Sequence, residues 1–116
     1  MRISLKSQTV RMEQLAEIRA WIYQGKVDEA LKALDQLLDA APSADSSLTS
    51  QAPPSAALKA EAYYLRGNAY RKQGNWQQAL NNYQQAIDLD SHSAATEARR
   101  MVIDILNFYN KEMYNQ

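Results

Sequence analysis

Cysteine is missing from the 116 residues, so the chain can build no disulfide framework, thiolate metal site or cysteine nucleophile. Charge of one sign is missing too. Thirteen Lys and Arg balance thirteen Asp and Glu, which leaves no general pull toward nucleic acid or an anionic membrane. No stretch of 18 consecutive apolar residues occurs, so no transmembrane helix is expected. The opening MRISLKSQTV carries Arg2 and Lys6 but no apolar run, and is not expected to act as a secretory leader. A single soluble, cytoplasmic domain with one modest core is the expectation for this length and composition.

Proline and glycine are scarce and localised. Pro42, Pro53 and Pro54 all fall in PSADSSLTSQAPPSAA, whose serines mark a surface loop or flexible linker rather than a packed element. Outside it nothing interrupts helical periodicity except Gly25, Gly67 and Gly74. Gly25 and Gly74 lie between helical patterns, in YQGKVDEAL and KQGNWQQAL, where a left-handed residue closes one helix before a reversal into the next. The reading is all-α, with helices over about 9–24, 26–41, 56–73, 75–89 and 94–114.

The two glycine phrases belong to a longer internal repeat. A shift of 49 residues aligns AWIYQGKVDEALKALDQLLD with AYRKQGNWQQALNNYQQAID, with seven of 20 positions identical, Gly25/Gly74, Ala30/Ala79 and Leu31/Leu80 among them. Trp21/Tyr70, Val27/Trp76, Leu34/Tyr83 and Leu38/Ile87 match in character. One helical hairpin is written twice. Small Gly67 and Ala79 allow its two helices to approach closely, and Tyr70, Trp76 and Tyr83 fill the volume around that contact.

The second copy, with Tyr63, Gly67, Tyr70, Gly74, Ala79, Tyr83 and Ala86 in order, resembles the tetratricopeptide repeat, a helix-turn-helix unit of 34 residues. The first copy fits through Trp21, Gly25, Ala30, Leu34, Leu37 and Pro42, but has Gln14 and Ile18 in place of an aromatic and a small residue. Arg66 stands where the family generally has Leu. The shift exceeds one repeat by about 15 residues, which reads as an inserted loop between repeats. The expected organisation is repeat 1 over 9–42, a Ser/Pro-rich insertion over 43–58, repeat 2 over 59–93 and a capping helix over 94–116. The chain is also similar to small bacterial proteins with two such repeats and one further helix, which implies a short right-handed α-solenoid.

Chemistry is poorly represented. The single histidine, His92, sits between two serines in an expected turn, and Asp88 and Asp90 point in different directions on a helix with no second acidic cluster nearby. No phosphate-cradling glycine loop or Gly-x-Ser-x-Gly occurs. No enzyme activity, cofactor or metal is expected.

Charge is segregated even though its sum is zero. Arg2, Lys6, Arg11 and Arg19, then Lys59, Arg66, Arg71 and Lys72, make the first helix of each hairpin basic, while Asp28, Glu29, Asp35 and Asp39, then Asp88 and Asp90, make the second helices acidic. The family resemblance implies that first helices line a concave face where partner segments dock. Its groove positions fall on Glu61, Tyr64, Asn68, Arg71 and Lys72 in the second copy, and on Met12, Leu15, Arg19, Ile22 and Tyr23 in the first. A weakly basic groove of this kind suits an acidic peptide or a C-terminal carboxylate. Only Asn68 matches the carboxylate clamp of chaperone-binding relatives, so a chaperone tail is not expected as the partner.

Two repeats leave one apolar face uncovered, and the last helix is the element available to cover it. On a helical wheel Met101, Val102, Ile105, Leu106, Phe108, Tyr109 and Met113 fall within about 160° and are expected to pack on the preceding helix. Ile103 and Tyr114 fall on the polar side and are candidates for self-association. Two functions follow as expectations: a protein-interaction module that holds a partner peptide, as monomer or weak homodimer, or a homo-oligomeric scaffold assembled through the last helix and the open repeat edge.

Overall fold

The computed structural model describes the backbone of residues 2–39 and 55–114, and the surroundings of side chains 12–39 and 55–109. Five helices occupy the described residues: α1 (Arg2–Gln24), α2 (Val27–Asp39), α3 (Ala56–Lys72), α4 (Trp76–Leu89) and α5 (Ala95–Tyr114). Residues 43–54 of the expected Ser/Pro insertion and the side chains of Met113 and Tyr114 lie outside the described residues, while Ser55–Leu58, expected in the insertion, form the cap and first turn of α3. The first helix begins at Arg2 rather than near residue 9, because the residues before Thr9 contain no Pro or Gly to stop it.

The two hairpins close in the same way. Gly25 and Gly74 adopt φ of 90° and 79°. In each turn the amide that follows the glycine reaches back over the helix end, Lys26 N to Trp21 O at 2.8 Å and Asn75 N to Tyr70 O at 2.9 Å, which satisfies carbonyls the helix end leaves open. Local capping also starts the second repeat. The Ser55 side chain accepts from the Leu58 amide at 3.2 Å at the head of α3, and the Asn75 side chain accepts from the Gln78 amide at 3.3 Å at the head of α4.

Helix α3 is the centre of the array. It sends Leu58, Ala62, Leu65 and Ala69 into one core with Leu15, Ile18 and Ile22 of α1 and Ala30, Leu34 and Leu37 of α2. On its other side Ala60 joins Ala79, Tyr83 and Ala86 of α4 and Ala95, Ala98 and Val102 of α5 in a second core. Small residues on α3 permit this two-sided burial. Tyr64 packs against both cores and joins them.

Helix α5 covers α4 more narrowly than the wheel implies. Val102 is fully buried and Leu106 packs against the core, but Met101, Phe108 and Tyr109 remain 44%, 61% and 58% exposed. The wheel treats the neighbouring helix as equally long. Helix α4 has 14 residues against 20 in α5, and among the described residues the contacts of α5 with the second core end at Leu106. Ile103, placed on the polar side by the wheel, is half-buried.

The arginine that replaces the family's usual leucine is accommodated by charge. Arg66 Nη1 lies 3.3 Å from Asp35 Oδ1, so α3 and α2 are tied across the repeat boundary, while its buried Nε has no partner among the described residues.

Candidate functional site

Helices α1 and α3 run side by side and leave a shallow groove made of three overlapping hollows. The first is lined mainly by Met12, Leu15 and Ala16 of α1 and Ala57, Leu58 and Glu61 of α3. Tyr23, Tyr64 and Asn68 line the second, together with Arg19 and Glu61. The third adds Arg71, Lys72 and Trp76 to Ile22, Tyr23, Tyr64 and Asn68. Each hollow shares residues with the next, so the surface is continuous.

All ten groove positions named from the sequence line one or more of these hollows. Their burial separates their parts. Leu15 and Ile22 are core residues at 3% and 8% exposure and form the floor, whereas Met12 and Tyr23 stand open at 63% and 86%. Glu61, Tyr64, Asn68 and Arg71 are half-buried walls. Ser55, Ala57, Leu58, Leu65, Trp76, Ala16 and Ala94 also line the groove and were not anticipated. Ala57 and Leu58 were legible in principle, because they precede Glu61 by one helical turn on the same face of α3.

The cations are less free than their count implies. Arg19 pairs with Glu61 across the groove, from α1 to α3. Lys72 donates to the carbonyls of Ile22 at 2.8 Å and Tyr23 at 3.2 Å, capping the open end of α1, and stands 5.9 Å from the centre of the Tyr23 ring. Tyr83 lies fully buried beneath the groove and donates its hydroxyl to Asn68 Oδ1 at 2.5 Å. With that oxygen engaged, the Asn68 amide nitrogen has no partner among the described residues and remains a donor. Burial pushes the Tyr83 phenol above its ordinary value of 10.0, and the nearby Arg71 guanidinium opposes that rise.

The remaining candidates come together nowhere. His92 and Asp90 share a turn, where the His92 amide donates to Asp90 Oδ1 at 3.0 Å. Among the described residues no group of three His, Asp or Glu side chains could hold a metal ion, and no helix is long and apolar enough to cross a membrane. What the groove offers is an apolar floor, tyrosine faces, an amide donor and guanidinium groups.

No curated protein matches the chain. The solution NMR structure of Bacteroides fragilis protein BF1650 is similar, at 52% sequence identity over 89% of this chain and 90% of that one, with a TM-score of 0.68. Family models described as tetratricopeptide repeat match residues 15–52 and 60–93. With two matched repeats, twin glycine-closed hairpins and a fifth helix packed on the second, the chain belongs to the tetratricopeptide repeat family.

Proposed function

We propose that this protein is an interaction module that holds an extended, acidic segment of a partner protein in the α1/α3 groove. Repeats of this family generally mediate protein–protein interaction. The observation that carries the reading for this chain is the continuity of the three hollows, whose lining holds three cations, Arg19, Arg71 and Lys72, and one carboxylate, Glu61. A net positive groove on a neutral chain draws acidic segments and discriminates against basic ones. Exposed Tyr23 and half-buried Tyr64 add broad contact surface at little cost in side-chain ordering. The role is binding rather than catalysis, and a cysteine-free chain suits a reducing cytoplasm.

The test is selection from an unbiased peptide library displayed on phage, with the wild-type protein and an Arg19→Glu, Arg71→Glu double variant as baits. Wild type should enrich acidic sequences and the double variant should lose them. No enrichment by wild type, or the same enrichment by both, would remove the basic-groove reading.

A second reading, self-association, is favoured by Met101, Phe108 and Tyr109, which stand exposed together on α5 with the Phe108 and Tyr109 rings edge to face at 6.1 Å. Of the two residues named for this role from the sequence, Ile103 is half-buried and Tyr114 lies outside the described side chains. Light scattering on the eluting chromatographic peak separates the readings: a dimer that becomes a monomer in Phe108→Glu supports assembly through α5, and a concentrated wild-type monomer excludes it.

A further inference from the structure

The Arg19–Glu61 pair is not placed like an ordinary surface ion pair. Its members come from different helices, 42 residues apart in sequence, and the pair lies across the groove where the apolar hollow meets the aromatic one, so that both residues line both hollows. Arg19 therefore already holds a carboxylate in the middle of the surface where an acidic ligand would lie. The Glu61 side chain, 34% exposed, stands in for the ligand group that this guanidinium recognises.

Beside this point the groove is apolar. Met12, Leu15, Ala16, Ala57 and Leu58 surround the first hollow, whose α1 lining is centred ~7 Å along the helix from Arg19. In an extended peptide, residues two apart share a face and are separated by about 6.7 Å, which matches that offset best. Adjacent residues point to opposite faces, and residues four apart would overshoot.

Resting on the reading of the groove as a peptide site, we propose that the partner segment carries an apolar residue and an Asp or Glu two positions apart, and that Glu61 is a built-in competitor the ligand's carboxylate must displace from Arg19. The apolar side chain enters the Met12/Leu15/Leu58 hollow. The acidic one takes Arg19. Glu61 then turns outward to water, which its partial exposure permits. Competition from a tethered carboxylate weakens binding of acidic segments in general and favours those whose apolar anchor supplies the remaining affinity, so the pair sets specificity rather than stability.

The experiment uses the full chain and a fluorescein-labelled peptide from the library selection, with a second version in which the acidic residue is replaced by its amide. Glu61→Gln should bind the acidic peptide more tightly by about two- to five-fold, the range in which exposed ion pairs act. It should show no gain with the amide peptide. Glu61→Ala should behave likewise, and Arg19→Gln should weaken binding alone or combined with Glu61→Gln. Thermal melts of each variant confirm that folded protein is compared. If Glu61→Gln binds equally or more weakly, or if enriched peptides lack the apolar-x-acid spacing, this inference is overturned while the groove reading survives. If the library yields no peptide, the groove reading itself has failed.

Discussion

The ring of Tyr83 occupies the space a Cβ on Gly67 would need: such an atom would lie 2.5 Å from Tyr83 Cε1 and 3.2 Å from the Ala79 carbonyl oxygen. The contact fixes how closely α3 and α4 approach. It also places the Tyr83 hydroxyl against Asn68, so the repeat's most buried aromatic supports the wall of the groove.

Gly67→Ala should therefore destabilise the protein by about 1–3 kcal/mol, the usual cost of overpacking, even though alanine is the better helix former. Urea unfolding gives the difference. An unchanged midpoint would show that the α3/α4 spacing is adjustable.

Gly25→Ala and Gly74→Ala should each cost about 1–2 kcal/mol for a different reason. Nothing lies within 4 Å of a Cβ at either position, so the penalty is the left-handed backbone alone. Because no clash is involved, Gly74→Asn should recover part of the loss, since asparagine tolerates this conformation, whereas Gly67→Asn should not. Thermal melts of the four variants distinguish backbone strain from steric conflict.

These features were legible because they are local or repeated. The glycine turns follow from two phrases 49 residues apart, and the Gly67/Tyr83 approach follows from the order of small and aromatic residues within one hairpin. Ten of the residues that line the hollows came from the family resemblance. The Arg19–Glu61 pairing and the use of Lys72 as a cap for α1 did not, because both join separate helices across the inserted loop and depend on how α1 and α3 lie together. The exposure of Phe108 and Tyr109 was hidden for a simpler reason: a helical wheel records angle around the axis and ignores where the neighbouring helix ends.

Tyr83 gives a pH prediction. Burial raises its pKa above 10.0, so the folded protein holds the phenolic proton more tightly than the unfolded chain does. Stability from this source is complete below the unfolded value and is lost as pH rises through the folded one. The melting temperature of wild type should fall more steeply as pH rises above about 10 than that of Tyr83→Phe, which has no proton to lose. At neutral pH the Phe variant should itself be weaker by about 1 kcal/mol, from the missing hydrogen bond to Asn68. Parallel slopes for the two proteins would exclude Tyr83 as the source.

Arg66 and Asp35 should respond asymmetrically. The pair is partly exposed, at 25% and 49%, and the Arg66 Nε is buried without a partner among the described residues. Arg66→Leu removes that unsatisfied donor and substitutes apolar packing, so it should be neutral or stabilising by up to about 1 kcal/mol. Asp35→Ala leaves the guanidinium without its counter-charge and should destabilise by a similar amount. Chemical denaturation of both variants checks the signs, and a marked loss in Arg66→Leu would mean that the ion pair supports the repeat junction more strongly than its exposure implies.

The last helix divides into a part that closes the fold and a part that does not. Val102 is fully buried in the core shared with α4, whereas Phe108, past the last core contact at Leu106, is 61% exposed. Val102→Ala should cost about 1–3 kcal/mol through lost burial and a residual cavity. Phe108→Ala, despite deleting a far larger side chain, should change stability by less than about 0.5 kcal/mol, as surface substitutions do. The comparison is informative because hydrophobicity alone ranks the two residues the other way. If Phe108→Ala proves the more damaging in thermal melts, this face of α5 is covered in solution, and the loss should then depend on protein concentration, as it must when the covering surface belongs to a second molecule.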